Sequence, residues 1–200
     1  VLAGEVVTMS VDREHIPAKH RHLIKAFLDE ADMSADAIKT VDFPPACGAD
    51  IVVSCEKAKD RKNGSIYLKP TQFVLGIGCR RDTAFENIDR AIRQSLLKLQ
   101  IDISDIDMIA SIDVKKDEPG IKEFCDRNRI DFVTYTADEL MAVQGEFSAS
   151  QFVKEHVGVD NVCERAAVLA SSRECNKAGQ LVYKKHKYDG VTVAAAKYPD

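Results

Sequence analysis

The stretch Phe73-Val74-Leu75-Gly76-Ile77-Gly78-Cys79-Arg80-Arg81-Asp82-Thr83 decides how the rest of the chain is read. The nearly continuous apolar run from Phe73 to Cys79 suits a strand buried on both faces, as in a parallel sheet. The change to Arg80-Arg81-Asp82 marks where that strand leaves the core. Thr83 and Glu86 stand at the spacing of a capping box, in which each side chain satisfies the other's free backbone amide. Behind them Phe85, Ile88, Ile92, Leu96 and Leu99 line one face of a long helix.

Downstream the same alternation continues. Met108, Ile109, Ala110 and Ile112 make a second buried strand, and Pro119 sits where the next helix would begin. Ile121, Phe124 and Cys125 give that helix its apolar stripe, and Phe132 and Val133 predict a third strand. Thr136 and Glu139 form another capping box ahead of a short helix. Strand, helix, strand, helix, strand over 73–134 implies right-handed crossovers and a parallel sheet. Two more helices are expected. One starts at Ser148 and Gln151 and ends at Gly158; the other is capped by Asn161 and Glu164. Leu181–Lys187 and Val191–Lys197 flank Asp189-Gly190, a strong hairpin signal. The expected fold is therefore α/β: a three-layer α/β/α unit with a mixed, mainly parallel sheet and a C-terminal β-hairpin.

Upstream the reading is sparser. Ile16, His20, Leu23, Ile24, Phe27 and Leu28 recur at helical spacing, so an amphipathic helix is expected over about 16–30. Strand-like runs follow at Ile38–Phe43 and Asp50–Cys55, separated by Pro44-Pro45 and Gly48. The charged stretch Glu56–Ser65, with Asn63-Gly64 near its end, reads as an exposed loop or hairpin tip. Lys69-Pro70 marks a boundary. The predicted division is a small α+β region over 1–72 and an α/β domain over 73–200.

Composition excludes several classes. Among 200 residues, 45% are hydrophobic and 30% charged, an ordinary globular balance. The apolar runs are short, so no segment is expected to cross a membrane. A net charge of −4 argues against a general nucleic-acid binder, which needs a basic surplus. No N-terminal secretory signal or transit peptide is evident, and the opening Val1 suggests a processed or truncated chain. Cys47, Cys55, Cys79, Cys125, Cys163 and Cys175 are scattered without metal-ligand spacing, and the five His share no face. No metal site is expected, and reduced thiols in a cytoplasm are the reading.

In an open parallel sheet, ligands bind beyond the carboxyl ends of the strands. Two strand ends here run into dense polar groups, Cys79–Thr83 and Asp113–Glu118. If the two strands are neighbours, four cations and several carboxylates face one crevice. Free amides and the helix dipole behind Thr83 would add to its pull on anions. The residues thus describe a pocket for a polycarboxylate or a phosphate.

Each element has a plainer alternative. Gly76 and Gly78 could only allow close helix packing, and Gly-x-Gly without a third glycine is weak for dinucleotides. Adjacent Arg80 and Arg81 are often simply solvated. Asp113, Asp117 and Glu118 could cap the next helix, and Glu164 reads first as a capping-box acid. Cys79 is either a small buried hydrophobe or, with its pKa lowered by neighbouring arginines, a nucleophile. Lys184, Lys185 and Lys187 could only guard a sheet edge.

An ordered set of motifs carries a resemblance. It comprises Gly76-Ile77-Gly78-Cys79-Arg80-Arg81, Ser111-Ile112-Asp113-Val114-Lys115-Lys116-Asp117-Glu118, and Ser148-Ala149-Ser150. Val162-Cys163-Glu164-Arg165-Ala166-Ala167 and Gly190-Val191-Thr192-Val193-Ala194 complete it. Together they resemble the C-terminal domain of the CbiG family, the cobalt-precorrin-5A hydrolases, a domain shared with CobE. The resemblance is strong over about 73–198. It is weaker over 49–72, where Ala49–Val53 and Leu68-Lys69-Pro70 fit the CbiG central region. Full CbiG chains carry a further N-terminal domain, so this chain reads as a C-terminal portion. Asp82 stands where the family more often has Gly; if that position needs a positive φ, Asp tolerates it.

The resemblance implies cobalamin biosynthesis by the anaerobic route. The activity is hydrolytic opening of the δ-lactone of cobalt-precorrin-5A, with loss of acetaldehyde, giving cobalt-precorrin-5B. A non-catalytic tetrapyrrole-binding or transfer module of the CobE type is the alternative. Cobalt would arrive in the substrate macrocycle, so no resident cofactor is expected. Glu118, Asp113 and Cys79 are the catalytic candidates. Gly78, Arg80, Arg81, Lys115, Lys116 and Ser148 are the candidates for binding an anionic tetrapyrrole. Other corrin-pathway enzymes and a second copy of the chain are the expected partners.

Overall fold

The computed structural model describes residues 7–14, 16–17, 20–21, 24–26, 38–43, 45, 49–54, 65–68, 70–148, 158–172 and 178–199. The chain divides into two compact units, Val1–Thr71 with Asp200, and Gln72–Pro199.

In the first unit four short strands form one sheet: β1 (Val7–Val11), β2 (Ile38–Val41), β3 (Ile51–Val53) and β4 (Ile66–Leu68), in the order β2-β1-β3-β4. Every pairing is parallel. β3 and β4 pair parallel, so the two are not arms of a hairpin tipped by Asn63-Gly64. Most of the expected loop Glu56–Ser65 and of the helix expected over 16–30 lies outside the described residues, though 20–21 and 24–26 are helical. Met9, Ile16 and Val53 make the small core. The alternation Val7-Thr8-Met9-Ser10-Val11 was a legible signal for β1, whereas the three-residue β4 is too short to show one.

The second unit opens with β5 (Phe73–Cys79), α1 (Phe85–Leu99), β6 (Ile106–Ile112), α2 (Pro119–Asn128), β7 (Asp131–Tyr135) and α3 (Ala137–Ala142). It continues with α4 (Val162–Ser172), β8 (Gln180–Lys187) and β9 (Val191–Lys197). The sheet order is β7-β6-β5-β9-β8. β5, β6 and β7 run parallel, while β9 is antiparallel to both β5 and β8. The unit is thus the mixed, mainly parallel sheet with a C-terminal hairpin that the apolar runs predict.

Side-chain alternation sends Leu75, Ile77, Ile109 and Val193 to one face, where Ile88 and Ile92 of α1 and Ile121 and Phe124 of α2 cover them. Val74, Ala110 and Ile112 face the other way, against Val162, Ala166 and Ala170 of α4 and Leu140 of α3. Helices on both faces make three layers. α4 lies so close to β5 that a Cβ on Gly76 would stand 1.7 Å from the Cys163 carbonyl oxygen. Gly76 is there because nothing larger fits between strand and helix.

The caps resolve differently. Thr136 and Glu139 make the expected capping box, with Thr136 N donating to Glu139 Oε2 at 2.7 Å and Glu139 N to Thr136 Oγ1 at 3.2 Å. Thr83 and Glu86 do not: the residue that caps α1 is Ala84, without a side-chain bond. Asp82, with φ 57°, turns the chain first, and the Thr83 hydroxyl donates back to the Arg80 carbonyl at 2.7 Å. The positive φ considered for Asp82 is therefore real. Asn161 caps α4, its Oδ1 accepting from Glu164 N at 2.9 Å, but the Glu164 carboxylate does not return the bond. The helix expected from Ser148 to Gly158 lies almost wholly outside the described residues.

Candidate functional site

Because β5 and β6 are parallel neighbours, both polar strand ends emerge on one edge of the sheet, as the alternation implied. The hairpin supplies the opposite wall. β9 is antiparallel to β5 with Cys79 opposite Val191, so the Tyr188–Gly190 turn stands beside the exit of β5. Arg80 N donates to the Gly190 carbonyl at 3.0 Å, and Thr192 Oγ1 donates to the Gly78 carbonyl at 3.1 Å, stitching the two together.

Between these walls lies a cleft of about 890 Å³. Gly78, Cys79, Arg80 and Arg81 form one side. Val114, Lys115, Asp117 and Glu118 form the next, from the turn after β6. Asn161, Val162 and Cys163 bring in the first turn of α4, and Lys185, Lys187 and Tyr188 close it from the hairpin. Five cations stand against three carboxylates along its walls, in a chain whose overall charge is −4. The floor is apolar, with Ile112, Val162 and Val191, and Val114 is 65% exposed at the rim.

Glu118 is the most constrained carboxylate of the cleft. It is 5% exposed and immediately precedes Pro119, the first residue of α2. Its Oε1 accepts from Thr83 N at 3.0 Å, and its Oε2 accepts from Lys115 Nζ at 2.7 Å. It makes no bond to the amides of its own helix. Instead it ties the turn after β5 to the turn after β6. The side chains of Lys115 and Glu118 are 14% and 4% exposed, so this ion pair is shielded from water.

Cys79 has its thiol pushed up to about 11 by burial, with Lys115 opposing and Glu118 adding to the shift. The thiol is therefore protonated at neutral pH, and the neighbouring arginines do not make it a thiolate. Arg80 and Arg81 are exposed and reach the cleft. Gly78 lines it, and a Cβ there would stand 2.7 Å from Thr192 Oγ1.

Three candidates do not line the cleft. Asp113 is half-buried in the short 3-10 turn Asp113–Lys115, and Lys116 is exposed just after it. Ser148 instead binds Glu164: its amide donates to Oε2 at 2.7 Å and its hydroxyl to Oε1 at 2.9 Å. Glu164 is fully buried and also accepts from Lys185 N at 2.6 Å. Adjacent Arg165 forms a bidentate pair with Asp160 and donates to the Leu140 and Val143 carbonyls at 3.2 and 2.9 Å. That pair holds the Asp160 carboxyl below the usual range.

The residue reading missed Lys185, Lys187 and Asn161 as cleft residues. Lys185 and Lys187 were legible only as edge protection, since nothing local says that the hairpin pairs with β5. One signal was present: Glu164 stands in the apolar run Val162–Ala170, and a buried charge demands partners. Among the described residues no three His, Cys, Asp or Glu side chains gather as a metal-ligand set. No described helix is long and apolar enough to cross a membrane.

Comparison with known proteins gives one consistent answer. The family model described as cobalamin synthesis G C-terminus matches residues 73–196. The cobalt-precorrin-5A hydrolase of Salmonella typhimurium is 36% identical over 126 residues, which is 63% of this chain and 34% of that protein. The probable cobalt-precorrin-5A hydrolase of Methanocaldococcus jannaschii is 32% identical over 137 residues, 66% of this chain and 42% of that protein. The chain thus spans between about a third and two fifths of these relatives. Protein CobE of a Sinorhizobium species is 27% identical over 114 residues, 56% of this chain and 74% of that protein. Among solved structures, that of CobE, a protein from the cobalamin (vitamin B12) biosynthetic pathway, superposes with a TM-score of 0.59. It is 25% identical and covers 62% of this chain and 89% of CobE.

Proposed function

Since the chain belongs to the cobalamin synthesis G C-terminus family, we propose that its second unit binds an anionic cobalt tetrapyrrole and takes part in opening the lactone of cobalt-precorrin-5A. The observation that carries this reading is the cleft at the carboxyl edge of β5 and β6. Its cationic rim suits the acetate and propionate arms of such a substrate, and its apolar floor suits the face of the macrocycle. The cobalt is part of the substrate, and a cytoplasmic biosynthetic setting accords with the reduced Cys79, Cys125 and Cys163.

Lactone opening adds the oxygen of water to the carbonyl carbon, passes a proton to a base, and breaks the ring C–O bond. The departing alkoxide collapses to the carbonyl of acetaldehyde as the bond from its carbon to the macrocycle breaks, and the macrocycle takes up that electron pair together with a proton. In this proposal Glu118 is the base. Each of its oxygens accepts one bond from Thr83 or Lys115 and keeps a lone pair for water. When Glu118 takes the proton, the Lys115 ammonium loses its partner and faces the negative charge growing on the carbonyl oxygen. Cys79, as a protonated thiol, is a hydrogen-bond donor at the wall and not the nucleophile. Arg80, Arg81 and Lys187 receive carboxylates.

A second reading, a module that binds the intermediate without transforming it, has one observation in its favour. The chain superposes on CobE over 62% of its length with a TM-score of 0.59. The deciding experiment incubates the chain with cobalt-precorrin-5A, alone and with the remaining portion of that hydrolase, and measures acetaldehyde. Release in either reaction supports the enzyme reading. Substrate binding without release in both supports the binding module.

A further inference from the structure

The hairpin side of the cleft holds an arrangement that the lactone chemistry does not use. On β8, Tyr183 pairs with Ala195 and His186 with Val193, so two residues, Lys184 and Lys185, oppose Ala194. Such a bulge re-aims a side chain and leaves local backbone groups to find other partners. Here Lys185 N donates to Glu164 Oε1 at 2.6 Å. Tyr183 and His186 stack at 4.2 Å on the far side of the bulge. The bulge therefore faces α4, from which Glu164 reaches it.

Glu164 is fully buried, and its carboxylate accepts three bonds, two from Ser148 and one from the bulge. The Ser148 carbonyl in turn accepts from Lys185 Nζ at 3.1 Å and from Asn161 Nδ2 at 2.7 Å. The strand, the start of α4 and the Ser148 backbone are thereby fixed around one ammonium at the cleft wall. Among the described residues that ammonium pairs with no carboxylate side chain; its recorded partner is a backbone carbonyl. No described carboxylate offsets this half-buried side chain, which leaves it available to a ligand. A structural lysine would be expected to neutralise an acid.

We propose that Lys185 is a ligand-carboxylate anchor on the hairpin side of the cleft, and that Glu164 is the positioning residue that holds it there through the β8 bulge. This rests on the tetrapyrrole reading above and extends it. The ligand is gripped from two sides, by Arg80 and Arg81 on the β5 exit and by Lys185 on β8. That requires acid arms on opposite flanks of an apolar body. A ligand acidic on one flank only would leave one wall of the cleft idle.

The test titrates the full chain calorimetrically with cobyrinic acid, a cobalt corrin with free carboxylates. The forms compared are the unmodified chain, Lys185→Met, Lys185→Arg, Glu164→Gln and the Glu164→Gln, Lys185→Met double variant. Lys185→Met is expected to weaken binding by about ten- to a hundredfold, the range for a lost charge-assisted contact, and Lys185→Arg to restore most of it. Glu164→Gln is expected to weaken binding in the unmodified background and to add nothing once Lys185 is Met, because positioning without the positioned group has no effect. Equal weakening by Glu164→Gln in both backgrounds would overturn the positioning role. Undiminished binding by Lys185→Met would overturn the anchor, and that variant keeps the backbone bond to Glu164 even if Glu164→Gln does not fold. Absence of binding by the unmodified chain would overturn the tetrapyrrole reading along with this one. Binding that ignores Lys185 would overturn this one alone.

Discussion

Replacing Glu118 by Gln separates a chemical role from a structural one. Gln keeps the shape and one acceptor oxygen, so the bond from Thr83 N at 3.0 Å survives. The bond from Lys115 Nζ at 2.7 Å, made between side chains only 14% and 4% exposed, is lost. Leaving a shielded ammonium without its carboxylate costs about 1.5–3 kcal/mol, toward the lower end here because Lys115 can turn to the cleft water. Thermal unfolding of a chain of this size should then fall by about 4–8 °C. Loss of a general base lowers the rate by about a hundred- to ten-thousandfold. Acetaldehyde release, measured in whichever reaction of the unmodified protein produces it, should fall by that factor, while corrinoid affinity changes by a few-fold at most. Full activity in Glu118→Gln would refute the base assignment. A loss of affinity matching the loss of rate would reduce Glu118 to a tie between two turns.

Other outcomes follow from the same geometry. Gly76→Ala forces α4 off β5, because its Cβ would meet a backbone oxygen 1.7 Å away. The cost should reach or exceed about 3 kcal/mol, the upper range for overpacking, and an unchanged urea midpoint would contradict the strand–helix contact. Replacing both Arg80 and Arg81 by Ala should weaken corrinoid binding by about two- to tenfold at low salt, because both are exposed, with the difference shrinking as salt rises. Unchanged affinity would make them solvated surface. Burial raises the Cys79 thiol to about 11 and the Cys125 and Cys163 thiols to about 12, from an ordinary 9.0. Below pH 9 these thiols are protonated in both states and their contribution to stability is complete. Above it the unfolded chain ionises first, so stability should fall as pH climbs from about 9 toward 12, less steeply in Cys163→Ala. A urea midpoint with the same pH dependence in that variant would contradict the burial of Cys163.

The second unit was legible because its central strands β5 and β6 are largely buried on both faces and so are written as nearly continuous apolar runs, at Phe73–Cys79 and Met108–Ile112. The turn dipeptide Asp189-Gly190 announced the hairpin for equally local reasons. What local pattern could not supply was partner choice. Thr83 and Glu86 have capping-box spacing, yet Thr83 N is satisfied by Glu118, 35 residues on. Ser148 and Glu164 looked like caps but bind each other, and Glu164 reaches Lys185 of a strand that follows it in sequence. The cleft itself was half legible. Its β5 and β6 walls came from the parallel alternation, whereas its third wall depends on β9 pairing antiparallel with β5, which no spacing in the sequence encodes. Asp113 and Lys116 were drawn in by adjacency to Lys115 and Glu118, but the 3-10 turn at Asp113–Lys115 does not bring every member of that polar run to the cleft.

The most direct test of the account is where a carboxylated corrinoid lands. Titrating the isotopically labelled chain with cobyrinic acid while following its backbone amides by NMR should perturb Arg80, Lys115, Cys163, Lys185 and Gly190 together. The parallel sheet of the first unit should stay unmoved, and the effect should be lost with the fully esterified corrinoid. Perturbations confined to β1–β4, or the same shifts with the ester, would contradict a cationic tetrapyrrole cleft at the carboxyl edge of β5 and β6.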